Sequence, residues 1–171
     1  NPDAVMVYGD MLAIDEKAFV TNTFNYRPLT LDDLLCFEII GQPAVFIHRE
    51  AFENAGGLDI SFHFLLDHQL WIKIAMQGQL VHMPQIIAAA RYHADAKNRA
   101  RASEFGQEAF RILDWAQAQP DLTEAVTRLG RRARASAQRV DARYLLDGGR
   151  PARAMRAWMR AFRLHPPTAF A

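Results

Sequence analysis

Gln42-Pro43-Ala44-Val45-Phe46-Ile47-His48-Arg49-Glu50-Ala51-Phe52, continuing through Gly56-Gly57-Leu58-Asp59 to Leu66-Asp67-His68-Gln69-Leu70-Trp71-Ile72-Lys73, is the stretch that decides the fold. Ala44-Val45-Phe46-Ile47-His48 is a short apolar run of the kind that forms a buried strand. A helix is predicted from about Arg49 to Ala55, stopped by Gly56-Gly57, where glycine reaches left-handed backbone geometry cheaply. From Asp67 onward Leu70, Trp71, Ile74 and Ala75 recur at helical spacing until Gly78, so Asp67 falls in the first turn of a second helix.

The flanking sequence extends this strand–helix–turn–helix order. Upstream, Ala4-Val5-Met6-Val7-Tyr8 and Met11-Leu12-Ala13-Ile14, separated by Gly9-Asp10, predict two short strands or one bent strand. A short helix is expected over Leu31-Asp32-Asp33-Leu34-Leu35-Cys36-Phe37, with Thr30 as its N-cap and Gly41 and Pro43 beyond its end. Downstream, Leu80 to Met83 and Ile86 to Arg91 predict strands on either side of Pro84, leading into polar Tyr92-His93-Ala94-Asp95-Ala96-Lys97-Asn98. Everything after Arg99 is helical in pattern: segments 100–118, 121–147 and 151–163, divided by Pro120 and by Gly148-Gly149-Arg150-Pro151. The expected organisation is therefore an α/β part over 1–98 and an α-helical extension over 99–171.

With 171 residues, half of them hydrophobic, the chain has the composition of a soluble globular protein with one sizeable core. The single Cys36 forms no internal disulfide and has no cysteine neighbour at metal-ligand spacing, so a reducing, cytoplasmic setting is the expectation. No apolar run approaches the roughly 20 residues that span a bilayer. Charge is unevenly placed: residues 1–98 carry 6 basic and 12 acidic side chains, and residues 99–171 carry 14 and 7, every base there being Arg. The opening Asn1-Pro2-Asp3, without Met, suggests a segment of a longer protein.

The order of the pieces resembles the acceptor-side signature of family 2 inverting glycosyltransferases of the GT-A fold. In that family a strand, an Arg-Glu-Ala-Phe helix start, a Gly-Gly-Leu-Asp turn and an acidic residue shortly before a Trp follow one another. Asn1-Pro2-Asp3 through Tyr8-Gly9-Asp10 looks like the strand after the donor site, and Arg91-Tyr92-His93 looks like the family's Arg-x-His segment. The resemblance covers roughly residues 1–98. It implies a partial GT-A-like α/β domain that transfers a sugar from a nucleotide-sugar donor to a hydroxyl of a glycan or lipid-linked acceptor, with inversion, in cell-surface glycan synthesis. It also implies a divalent metal, Mn²⁺ or Mg²⁺, held mainly by an N-terminal nucleotide-binding half that this sequence does not contain, so this portion alone is expected to be inactive.

The chemistry follows from the residue types. Inverting transfer needs a base for the acceptor hydroxyl, and Asp67 suits it: a helix start offers backbone N–H groups that hold a carboxylate, and Trp71 one turn later shares its face and could stack on a sugar. The same spacing also fits a helix cap and a core Trp. The resemblance places Asp59 and Asp10 near the acceptor, while their plainer readings are a turn carboxylate and a solvated strand-end residue. His93 and Lys97 are candidates for the donor phosphates or the metal, although Ala96-Lys97-Asn98 stands where the family often carries Ser-Lys-Thr. A competing metal site would use His63, Asp67 and His68, with Phe64, Leu65 and Leu66 arguing for packing instead.

Arg128, Arg131, Arg132, Arg134 and Arg139 on one predicted helix, and Arg153, Arg156, Arg160 and Arg163 on the next, form cationic faces. They are solvated, or pair with the acidic first half, or meet a polyanionic acceptor or anionic lipid in a peripheral contact at the inner membrane face. No aromatic-interleaved basic motif points to nucleic acid. A second copy of the chain is a candidate partner for an exposed sheet edge. The rival reading is a non-catalytic helical interaction module, in which Asp67 is buried and paired.

Overall fold

The computed structural model describes residues 3–91 and 104–170. The chain divides into two units, the first comprising Asn1–Leu34, Glu38–Ile60 and Leu66–Ala96, the second Leu35–Phe37, Ser61–Leu65 and Lys97–Ala171. The architecture is mixed α/β, with a sheet of four strands followed by a group of helices.

In the first unit the organising element is β1 (Ala4–Ile14), the single strand of the two alternatives that its sequence offered. It pairs antiparallel with β2 (Val20–Phe24) through Met11–Ile14 and antiparallel with β3 (Val45–Ile47) through Met6–Tyr8. It pairs in parallel with β4 (Gln79–Arg91) along its whole length. Because Met6, Tyr8 and Met11 each face β4 on one side, β2 and β3 share the other edge end to end.

Gly9-Asp10 leaves β1 continuous with a shift of register, and Pro84 does not divide β4 as expected. Gly9 pairs with Met83 and Asp10 with Ile86, so Pro84 and Gln85 bulge out of register and the missing proline N–H costs no ladder bond. A Cβ at Gly9 would lie 2.7 Å from the Ile87 side chain and 2.8 Å from the Gln85 carbonyl oxygen, so the bulge requires glycine there. The strand β2 was not foreseen. It is exposed along almost its whole length and carries no alternating pattern.

The turn leading into β2 is built by Asp15, whose Oδ1 accepts from Lys17 N (2.9 Å) and Phe19 N (2.8 Å). Arg91 closes the same turn by donating from Nη1 to the carbonyl oxygens of Asp15 and Glu16, at 2.8 and 3.0 Å.

The helices of this unit are α1 (Leu31–Leu35), α2 (Arg49–Asn54) and α3 (Leu66–Ala75). Thr30 and Asp33 form a reciprocal cap on α1: the Thr30 N–H and hydroxyl donate to Asp33 Oδ2, and Asp33 N donates to Thr30 Oγ1. Burial opposes ionisation of Asp33, but the Arg27 guanidinium at 2.9 Å and the Thr30 bonds outweigh it and hold the carboxyl at about 2.

The second unit contains α4 (Phe105–Gln117), α5 (Pro120–Asp147), α6 (Pro151–Leu164) and α7 (Pro166–Ala169). The long α5 is kinked at Gly130, the one non-helical residue inside it. Beyond the kink, Arg131 donates to the carbonyl oxygens of Leu164 and Arg163, satisfying acceptors at the end of α6. The α5–α6 corner is a Schellman motif, with Gly149 N donating to Leu146 O and Arg150 N to Leu145 O. Small residues let the two helices approach: Ala142 and Leu145 of α5 pack on Ala154 and Ala157 of α6, with Trp158 alongside. Among the described residues no helix is long and apolar enough to cross a membrane.

Candidate functional site

The segment linking β3 to α3 is fixed at both ends of α2. His48 N donates to Val5 O at 2.9 Å, tying the end of β3 to β1. At the other end Gly56 and Gly57 both have positive φ, and their N–H groups return to Glu53 O and Phe52 O, the 5→2 and 6→1 bonds of a second Schellman motif. Asp59 follows this turn and is partly buried.

Asp67 is the second residue of α3 and is partly buried. Its Oδ1 accepts from His68 N at 2.7 Å. Burial pushes its carboxyl above the usual range, and the backbone N–H groups of His68 and Asp67 only partly offset that. Among the described residues no side chain pairs with it.

Two other acids show what a structural carboxylate looks like in this chain. Asp33 has Arg27 and Thr30, as above. Glu108, 4% exposed, accepts from His63 N (2.7 Å), Phe64 N (2.7 Å) and Leu65 N (2.9 Å), with Arg111 Nη1 at 3.7 Å. Asp67 alone of the three is half-withdrawn from water with neither a cation nor a hydroxyl beside it among the described residues.

Six of the other residues of α3, His68 to Ile72 and Ile74, are core. Trp71 is 3% exposed and its indole N–H points to Ile40 O at a long 3.4 Å, so neither ring face is open for stacking on a sugar. His68 is buried, its Nε2–H donating to Leu34 O at 2.9 Å, and burial pushes its imidazole down to about 4. Gln69 is fully buried, and neither atom of its amide is hydrogen-bonded among the described residues. Because the His68 ring is turned to Leu34 O, the His63, Asp67 and His68 grouping does not assemble; no cluster of three or more His, Cys, Asp or Glu able to hold a metal ion occurs among the described residues.

Asp10 is not at a strand end. It lies inside β1, 8% exposed, and its Oδ1 accepts from Tyr26 N and from His82 Nε2, both at 2.9 Å. The Tyr26 N–H first, and His82 second, hold its carboxyl below the usual range. Tyr8 completes the group: its ring lies 5.3 Å from that of His82, and its hydroxyl donates to Arg27 O and accepts from Leu29 N. Burial pushes the Tyr8 phenol up to about 12. Sequence reasoning missed Tyr8, Tyr26 and His82. The available signal was two polar residues, Asp10 and His82, interrupting apolar strand runs.

The structure thus brings Asp67 and Trp71 onto one short helix and places Asp10 in a separate hydrogen-bonded knot within the sheet. His93 and Lys97 lie outside the described residues. No protein-family model matches the chain, and no curated protein matches it.

Proposed function

We propose that this chain is the acceptor-side portion of an inverting, nucleotide-sugar-dependent glycosyltransferase and that Asp67 is its catalytic base. The observation that carries the reading is the state of Asp67: a carboxylate made more basic by burial, oriented by the His68 N–H, and left without a side-chain partner among the described residues. Perturbed, unpaired carboxylates of this kind concentrate at sites that move protons.

In the proposed reaction the Asp67 carboxylate takes the proton of an acceptor hydroxyl while that oxygen bonds to the anomeric carbon of the sugar. The bond between that carbon and the donor's diphosphate breaks, and its electron pair leaves on the phosphate oxygen. Trp71 supports α3 from the core instead of stacking on the acceptor. The donor and any divalent metal belong to a nucleotide-binding half, and the described residues supply proton transfer and positioning. One observation favours the rival, a non-catalytic helical interaction module: the Trp71 ring is closed to ligands.

The test is sugar transfer by the protein that contains this chain, over a panel of nucleotide sugars with Mn²⁺ or Mg²⁺, comparing wild type with Asp67→Asn. Turnover lost with donor binding intact supports the base. Transfer unchanged by the substitution removes Asp67 from the chemistry, and no transfer from any donor by wild type favours the interaction module.

A further inference from the structure

Within the second unit, a cavity of about 260 Å³ opens beside α4, α5 and α6. Its wall holds four arginines, Arg150, Arg153, Arg156 and Arg160, with Asp141 as the single acid and Phe110 among the apolar residues. We propose that this cleft is a binding site for a phosphate ester or pyrophosphate group.

The charge balance is the first argument. Arg153, Arg156 and Arg160 stand at i, i+3 and i+7 on one face of α6, and Arg150 is the residue that precedes its first turn. All four side chains are exposed, so solvent screens their mutual repulsion, yet together they concentrate positive potential around one concavity. Three other arginines of this unit are engaged: Arg111 with Glu108 and Ser61 O, Arg131 with the end of α6, Arg143 with Asp147. Among the described residues none of the four cleft arginines is in an ion pair within 4 Å; Asp141, the one acid of the lining, interacts electrostatically with Arg160. A single carboxylate leaves the cleft with a surplus of three positive charges.

Shape and chemistry point to the class of ligand. Guanidinium groups present planar forks of N–H donors that match the paired oxygens of a phosphate. The N-terminus of the 14-residue α6 adds positive potential from the same side, and its first turn carries no acidic residue that would neutralise it. The cavity is concave and sized for a phosphate-bearing group, and Phe110 and Leu145 give the rest of such a molecule an apolar wall. Asp141 faces a bound anion unfavourably, so it should weaken binding. This assignment does not depend on Asp67.

The experiment is calorimetric titration of the intact chain with inorganic pyrophosphate, with sulfate as a charge control, alongside sedimentation with phosphatidylcholine vesicles with and without phosphatidic acid. Wild type is compared with Arg153→Gln/Arg156→Gln, Arg153→Lys/Arg156→Lys and Asp141→Asn, with circular dichroism to check folding. Saturable pyrophosphate binding, about tenfold or more weaker in the glutamine variant and weakened in the lysine variant, supports the site. Tighter binding by Asp141→Asn supports it further. Pyrophosphate binding without vesicle binding assigns a soluble ligand. Vesicle binding that requires phosphatidic acid, is lost in the glutamine variant and is competed by pyrophosphate assigns a lipid phosphate at the same site. The proposal is overturned if neither probe binds, if sulfate binds as tightly as pyrophosphate, or if binding is indifferent to the folded glutamine variant.

Discussion

His68 of α3 donates its Nε2–H to the carbonyl oxygen of Leu34 in α1 across 2.9 Å, from a ring that is 1% exposed. The bond needs no charge on the imidazole, and burial penalises one, so the folded-state value falls from 6.5 to about 4. A folded value below the unfolded one means stability present above pH about 6.5 and lost as pH falls towards about 4. The amount at stake is on the order of 3 kcal/mol. Urea titrations of wild type and His68→Gln across this interval should show the wild type losing stability faster than the variant; parallel profiles would place the imidazole in water.

Asp67 has the opposite sign. Its carboxyl is raised in the folded state, so ionising it costs stability: the stabilising contribution is full below the unfolded carboxyl value and is lost as pH rises through the folded one. Asp67→Asn keeps an acceptor for the His68 N–H and removes the charge. At neutral pH it should leave the melting temperature unchanged or raise it, while the proposed transfer falls by about 10²–10⁴. A destabilised variant with unaltered turnover would make Asp67 a structural residue.

The parts of this architecture that were legible are those written locally. Residues 44–78 announce a strand, a glycine-stopped helix and a second helix through neighbours a few positions apart, and β3, α2 and α3 appear there. The sequence left β1 open between one strand and two and hid the continuity of β4, because Gly9-Asp10 and Pro84 are local stop signals, overridden by a parallel ladder whose bulge exists only once the strands have met. For Trp71, periodicity assigned a helix face but could not say whether that face was open. The Asp10–His82 contact joins residues 72 apart, and the Glu108 contacts join residues 43 to 45 apart, so no window of sequence contains either.

Glu108 should be among the most sensitive acids in the second unit. It gathers three consecutive backbone N–H groups of the 63–65 segment, while the Phe105 ring stacks on Tyr144 at 4.0 Å and packs at a tilt against Phe64 at 4.5 Å. Glu108→Gln replaces an acceptor by an amide donor facing those N–H groups. The loss expected is about 3 kcal/mol, and Glu108→Ala should cost at least as much. Chemical denaturation would check this, and amide exchange should show loss of protection at Phe64 and Leu65 first. Unchanged exchange there would mean the segment is held by ring packing alone.

Asp10 tests whether the knot in the sheet is structural or chemical. Its carboxyl is lowered in the folded state, chiefly by the Tyr26 N–H and then by His82, so its contribution is present above the unfolded value near 3.8 and disappears as pH falls through the lower folded one. Asp10→Asn keeps an oxygen where Oδ1 accepts from both Tyr26 N and His82 Nε2, but removes the negative charge that strengthens both bonds. The substitution should lower the melting temperature at neutral pH by about 4 °C or more, with the difference from wild type shrinking below about pH 4. The proposed sugar transfer, assayed well below the variant's melting temperature, should be retained. A loss of transfer by folded Asp10→Asn, with its melting temperature intact, would move the search for acceptor contacts from α3 to the β1–β4 face of the sheet.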